Sequence, residues 1–356
     1  MTVSTNSTGK TLPPGIYCPT VTFFKPTREQ ELDIETHVKH MEFLAKAGLD
    51  GVVLQGSTGE AVALNREEKK ELIRTARDAF IRCGNHGAII AGTVGAQSTR
   101  EAIQLARDGA EAGADFALAL PPSYFPGHMS NDACQAFFEE LADASPIPII
   151  IYSYPGVSSG IQLSSELTMK LAKHPNIAGI KHTDHDIGRI AREASVKSYG
   201  SPYTILGGAT DYLLGTVAVG GHGAITGMTN VAPRAVAKVY ELASSGRSAE
   251  ALELAGLISR AEWSLGKGGL LGTKWATVWS CHYPEAAALA RRPLPTVSAE
   301  TKKHVEAECA ELVEIERSLE KQGYVGSGLQ TKAKQDVSAT KTNGLLHTVK
   351  QKIAEL

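Results

Sequence analysis

The chain has 356 residues, of which 42% are hydrophobic and 21% charged, with a formal net charge of -2 at pH 7. That balance suits a globular enzyme with room for a sizeable core. It excludes general attraction to nucleic acid or an anionic membrane, and no apolar run approaches the roughly 20 residues of a membrane helix.

Residues 1–14 read as a disordered lead segment. The first ten are rich in Ser and Thr and lack both an apolar stretch and arginine, so they resemble neither a secretory signal nor a transit peptide. The five cysteines, Cys18, Cys83, Cys134, Cys281 and Cys309, are scattered without a C-x-x-C pair. They read as reduced thiols of a cytoplasmic protein.

From residue 15 to 246 short apolar runs alternate with longer amphipathic ones. Strands are predicted at 16–24, 51–55, 88–91, 116–120, 147–153, 177–181, 204–207 and 223–226. A helical segment follows each. In the first, Ile34, Val38, Met41 and Leu44 share one face; in the second, Leu72, Ala76, Ala79 and Phe80 do, behind a capping pair Asn65 and Glu68. The remaining helical segments are read at 98–113, 131–144, 164–173, 187–199, 210–219 and 233–245. Repeated βα units imply parallel strands and right-handed crossovers, and eight of them in this length fit a closed (β/α)8 TIM barrel. An open doubly wound sheet is the rival, but Lys25-Pro26-Thr27 stands where such a fold carries its glycine-rich phosphate turn.

Residues 247–321 change character and form a C-terminal helical extension, with helices over 249–265, 269–279 and 299–321. Leu252, Ala255, Ile258 and Trp263 are read as the buried face of the first. Residues 322–356 read as a polar tail with a possible amphipathic helix at 345–356.

Barrel enzymes work at the carboxyl ends of their strands. The sixth strand ends in Lys181, and burial there favours the free amine, a nucleophile toward ketones. The second ends in Gly56-Ser57-Thr58-Gly59-Glu60, a turn whose amides and hydroxyls suit a carboxylate, or which is simply a capped tight turn. The fifth ends in Tyr152-Ser153-Tyr154-Pro155-Gly156, and a phenol relays protons if a nearby lysine lowers its pKa. Tyr124 follows the fourth strand. The last two strands end in Gly207-Gly208 and Ile225-Thr226-Gly227, small residues that leave room for a ligand or form a phosphate cup. His182 and His185, with Asp184 and Asp186, are possible metal ligands, but no third position is signalled.

Gly56 to Glu60, Tyr152 with Pro155, Gly179-Ile180-Lys181 and the run from Gly220 to Ile225 resemble the dihydrodipicolinate synthase and N-acetylneuraminate lyase superfamily of pyruvate-dependent class I aldolases. The resemblance implies that Lys181 forms a Schiff base and Tyr152 is the acid/base phenol. It implies that Ser57 and Thr58, in the turn opened by Gly56, hold the carboxylate of a 2-oxo acid, with Ser57 also relaying protons. Tyr124 would be lent across a subunit interface, making the protein a homo-oligomer, a dimer or tetramer. Ile225 would present its carbonyl near the keto acid, with Gly207 close by. No metal or organic cofactor is implied.

True dihydrodipicolinate synthases carry an arginine just after the tyrosine motif, and residues 154–160 contain none. That speaks against a condensing synthase. The wording of the motif looks most like fungal 2-keto-3-deoxy sugar-acid aldolases and 4-hydroxy-2-oxoglutarate aldolases. A dehydratase, a synthase using the same imine, and a catalytically silent keto-acid binder stand as the alternatives.

Overall fold

The structure is a computed structural model and describes residues 10–330. Its centre is a closed barrel of parallel strands in sequential order: β1 (Gly15–Pro19), β2 (Gly51–Leu54), β3 (Ala88–Gly92), β4 (Phe116–Ala119), β5 (Ile149–Ser153), β6 (Ile177–His182), β7 (Thr204–Gly207) and β8 (Gly223–Ile225), with β8 pairing back to β1. Around it lie α1 (Ile34–Ala47), α2 (Arg66–Arg82), α3 (Thr99–Ala112), α4 (Asn131–Ala144), α5 (Ser165–Leu171), α6 (Ile187–Ala194), α7 (Leu213–Ala218) and α8 (Pro233–Ser244). The chain is therefore a (β/α)8 barrel, as the alternating pattern predicts.

Local chemistry starts these helices where the sequence says they start. Asn65 and Glu68 form the reciprocal capping box of α2, and Asp33, Ser98, Ser130 and Ser164 each accept a backbone N–H at the head of a helix. Such caps contribute about 1 kcal/mol apiece. The first strand is shorter than expected: the Thr20 amide still donates to the Val53 carbonyl of β2, but the Val21 amide donates to Asn230 instead of a neighbouring strand.

Strand residues alternate between two cores. Ile16, Cys18, Val52, Leu54, Ile149, Ile151 and Ile180 face the helices. Tyr17, Val53, Ile90, Leu118, Ile150, Tyr152, Leu206 and Ile225 fill the barrel. The alternation breaks once, in β6. Ile149 pairs with Ile177 and Ile150 with Gly179, so Ala178 is the extra residue of a bulge. Without it, strict alternation from the helix-facing Ile177 would turn Lys181 toward the helices.

Two expectations at the ends are corrected. Residues 10–14 are part of the barrel: Leu12 is completely buried in the interior cluster, its carbonyl accepting the Thr204 hydroxyl at 2.6 Å, while Lys10 pairs with Asp115. A barrel needs apolar filling at its amino-terminal end, and Leu12 supplies it. Residues 322–330 are likewise docked, with the Tyr324 hydroxyl on Glu241 and the Gly326 amide on the Ala47 carbonyl. The rest of the expected lead segment, residues 1–9, and of the tail, residues 331–356 with the helix at 345–356, lie outside the described residues.

The extension consists of α9 (Ser248–Ser280), interrupted at Gly269, and α10 (Ala299–Lys321). The interruption falls where the sequence predicts two helices. The buried stripe of α9 is Ala251, Ala255, Ile258, Ala261 and Leu265, whereas Leu252 and Trp263 are exposed. The buried face is rotated from the expected one because it is built largely of small residues, which let α9 lie close to α8 and α10.

Candidate active site

Lys181 and Tyr152 sit opposite each other in the register of β6 and β5, both pointing into the carboxyl-terminal mouth. The amine stands 3.2 Å from the phenol oxygen and 4.3 Å from the ring centre, and both residues are buried. Burial pulls the Lys181 ammonium from 10.5 down to about 7. A substantial fraction of the amine is thus free near neutrality.

The phenol behaves differently from the expectation. Burial pushes Tyr152 up to about 12, only partly countered by the Thr183 and Ser57 hydroxyls beside it. It is a proton donor at rest, because the neighbouring amine is itself mostly uncharged above pH 7.

The turn after β2 approaches the same pair. Its carbonyl at Gly56 accepts the amides of Gly59 and Ala61, and Ser57 accepts that of Glu60. No described acceptor takes the Ser57 or Thr58 amide. The Ser57 hydroxyl is buried without a hydrogen-bond partner of good geometry, as is that of Thr183. Two orphaned hydroxyls beside an amine and a phenol form a polar cradle suited to an oxygen-rich ligand.

Thr183 was missed by sequence reasoning, which treated residues after the lysine as a polar loop. The strand period carried the signal: two residues beyond an inward lysine, a side chain faces inward again. Ile225 is fully buried in the interior cluster at the end of β8. Gly207 is placed otherwise than expected. A side chain there would meet the Thr216 hydroxyl at 2.9 Å and the Tyr212 ring at 3.1 Å, so its smallness serves packing against those two residues. Tyr124 is 76% exposed on the loop after β4, packs edge-on against Phe125 and has no hydrogen bond to Lys181 or Tyr152 among the described residues.

The two histidines do not converge. Both ring nitrogens of His182 lie 3.0 Å from carboxylates, Asp184 and Glu193, and His185 rests against the Tyr212 ring. Among the described residues, no group of three or more His, Cys, Asp or Glu is arranged to hold a metal ion.

A closed barrel with an amine and a phenol in contact at its carboxyl mouth is the architecture of a lyase of the aldolase class. The chain belongs to the dihydrodipicolinate synthetase family, which its residues 13–312 match. An L-threo-3-deoxy-hexylosonate aldolase of Aspergillus niger is 39% identical over 330 residues, covering 86% of this chain and 97% of that one. A protein of Emericella nidulans named "Probable 4-hydroxy-2-oxoglutarate aldolase, mitochondrial" is 41% identical over 312 residues, covering 87% and 98%. Among solved structures, YagE, a prophage protein of the dihydrodipicolinic acid synthase family from E. coli K12 in complex with pyruvate, superposes with a TM-score of 0.75 at 28% identity over 84% of this chain and 98% of that one.

Proposed function

We propose that the chain is a Schiff-base aldolase that cleaves a 2-keto-3-deoxy sugar acid of the L-threo-3-deoxy-hexulosonate type to pyruvate and an aldehyde such as glyceraldehyde. The observation that carries this is the buried contact between Lys181 Nζ and the Tyr152 phenol, 3.2 Å apart. The relatives named as aldolases at about 40% identity support it, and the pyruvate bound by YagE supports the keto-acid end.

The free amine of Lys181 attacks C2 of the keto acid, whose carboxylate lies on the Ser57 and Thr58 turn. The carbinolamine hydroxyl takes the Tyr152 proton and departs as water, leaving a protonated imine and a phenolate. The phenolate then accepts the proton of the C4 hydroxyl as the C3–C4 bond breaks. The bonding pair moves into the imine, giving an enamine, and C4 becomes the aldehyde carbon. Return of the Tyr152 proton to C3 and addition of water release pyruvate and restore the amine. A phenol held near 12 suits this order, since it gives its proton first and accepts one only once the imine's positive charge stands beside it.

Borohydride reduction in the presence of pyruvate tests the reading. A stable mass adduct on Lys181 is expected, and its absence would remove the imine mechanism. Pyruvate release across stereoisomeric 3-deoxy-hexulosonates then identifies the substrate. The Emericella relative favours a second substrate, 4-hydroxy-2-oxoglutarate, which belongs in the same panel.

Assembly as a homo-oligomer belongs to the same reading. Val62, Tyr124, Phe125 and Val157 are exposed on loops after β2, β4 and β5, an apolar rim at the mouth that a second copy would cover. Light scattering of an active preparation as a monomer would sink it. Cytoplasmic placement is also proposed; the Emericella relative's name puts that protein in the mitochondrion, and cell fractionation decides between the two.

A further inference from the structure

The anion turn is bounded by two non-glycine residues in the left-handed region, Gln55 at φ 60° and Glu60 at φ 54°. Such conformations cost on the order of 1–3 kcal/mol each and persist only where surrounding contacts over-determine them. On the Gln55 side the restraint is local: its amide nitrogen donates to the Lys69 carbonyl at 2.6 Å. The Thr22 hydroxyl fixes the Gly59 carbonyl at 2.7 Å.

On the Glu60 side the restraint comes from the helical extension. Glu60 Oε1 accepts Lys274 Nζ at 2.6 Å, and Oε2 accepts the Arg291 amide at 2.8 Å. Lys274 is 0% exposed and Glu60 is 3% exposed. Lys274 and the Arg291 guanidinium both lie against the Phe24 ring, at 4.6 and 4.4 Å from its centre. Arg291 also bonds Glu68 and the carbonyls of Ala63 and Gln30, clamping the loop that follows the turn. A charge this deeply buried is costly unless paired, so the pair binds two segments 214 residues apart as one unit.

We infer that Glu60, held by Lys274 and the Arg291 amide, is a positioning residue for the keto acid, and that the extension sets the geometry of the carboxylate-holding turn. Lys274 touches no reacting atom. It acts through Glu60 on the Ser57 and Thr58 amides. The inference rests on the proposed keto-acid reading. A carboxylate held equally in substrate and transition state contributes to KM and leaves kcat alone. A pair that only stabilised the fold would lower the active fraction, and kcat with it, without raising KM.

The test uses Glu60→Gln/Lys274→Met, which removes both charges together and leaves none unpaired. Wild type is first trapped with pyruvate and borohydride; failure there overturns the keto-acid reading and this inference with it. With trapping established, the double variant should show at least a tenfold rise in KM and in the pyruvate concentration for half-maximal trapping. Its kcat should stay within about twofold. Where the double variant does not fold, Glu60→Gln alone, which keeps an acceptor for Lys274 and the Arg291 amide, should show a smaller rise in the same direction. A folded variant with wild-type KM overturns the inference while leaving the aldolase reading intact.

Discussion

His182 Nε2 lies 3.0 Å from Glu193 Oε2, and both side chains are completely out of solvent. The other ring nitrogen meets Asp184 at the same distance, and Asp184 accepts the Ser153 hydroxyl at 2.7 Å, tying β6 to β5 directly behind Lys181 and Tyr152. Burial alone favours a neutral ring, but the hydrogen bonds and charges of the two carboxylates outweigh it and hold the imidazolium up to about 9, against an ordinary 6.5. Burial likewise raises Asp184, yet the His182 bond and charge bring it down to about 2 from 3.8. His182 therefore contributes stability that is complete below pH 6.5 and is lost as pH rises toward 9. The Asp184 contribution is complete above pH 3.8 and is lost toward 2. The His182 part amounts to roughly 3 kcal/mol. The melting temperature of wild type should exceed that of His182→Gln most between pH 4 and 6.5, with the gap closing toward pH 9. A gap constant from pH 5.5 to 9 would show that the ring is not charged in the fold.

The Lys181 amine governs a different pH dependence. Because it attacks only when unprotonated, kcat/KM should rise with pH through a midpoint near 7 and level off above it. About a tenth of the amine is free at pH 6 and about nine tenths at pH 8. The rate of borohydride trapping with pyruvate should follow the same curve. A profile flat from pH 5.5 to 8.5, or a midpoint above 9, would mean that burial does not activate this lysine.

Tyr152→Phe separates the two halves of the pair. The ring and its packing remain, and only the hydroxyl that moves protons is lost. Turnover should fall by roughly 100- to 10,000-fold, the usual contribution of a positioned acid/base group. Trapping with pyruvate should still reach the same extent, at a lower rate. An unchanged rate of trapping would show that the phenol gives no proton to the carbinolamine, contrary to the proposed order.

Much of this site can be read from local sequence signals. The βα period, the lysine at a strand end and the small-residue turn depend on neighbours within a few residues. What escaped reading depends on partners far along the chain. Glu193 comes to His182 from α6, Lys274 reaches Glu60 from the extension, and Leu12 plugs a barrel whose bottom is assembled from all eight strands. The rotated face of α9 was missed for a related reason: small residues mark close helix contact but carry little hydrophobic signal. The inward aim of Lys181 was expected from its place at a strand end, yet strict alternation from Ile177 would have turned it outward.

The bulge at Ala178 reverses that alternation, and Gly179 makes the bulge possible. A side chain at Gly179 would stand 2.3 Å from the Thr204 carbonyl oxygen, which belongs to the backbone of β7 and cannot swing aside. Gly179→Ala must therefore push β6 from β7 or undo the bulge, and either movement displaces Lys181 from Tyr152. Displacements near 1 Å at a reacting pair are enough to cost about 100-fold in rate. The variant should melt several degrees below wild type. At a temperature where it is fully folded, trapping on Lys181 should still be sharply slowed. The comparison is Ala178→Gly, which keeps the extra residue and adds no clash, and should trap at a rate close to wild type. If Gly179→Ala melts and traps as wild type does, the orientation of the lysine is set by something other than this bulge.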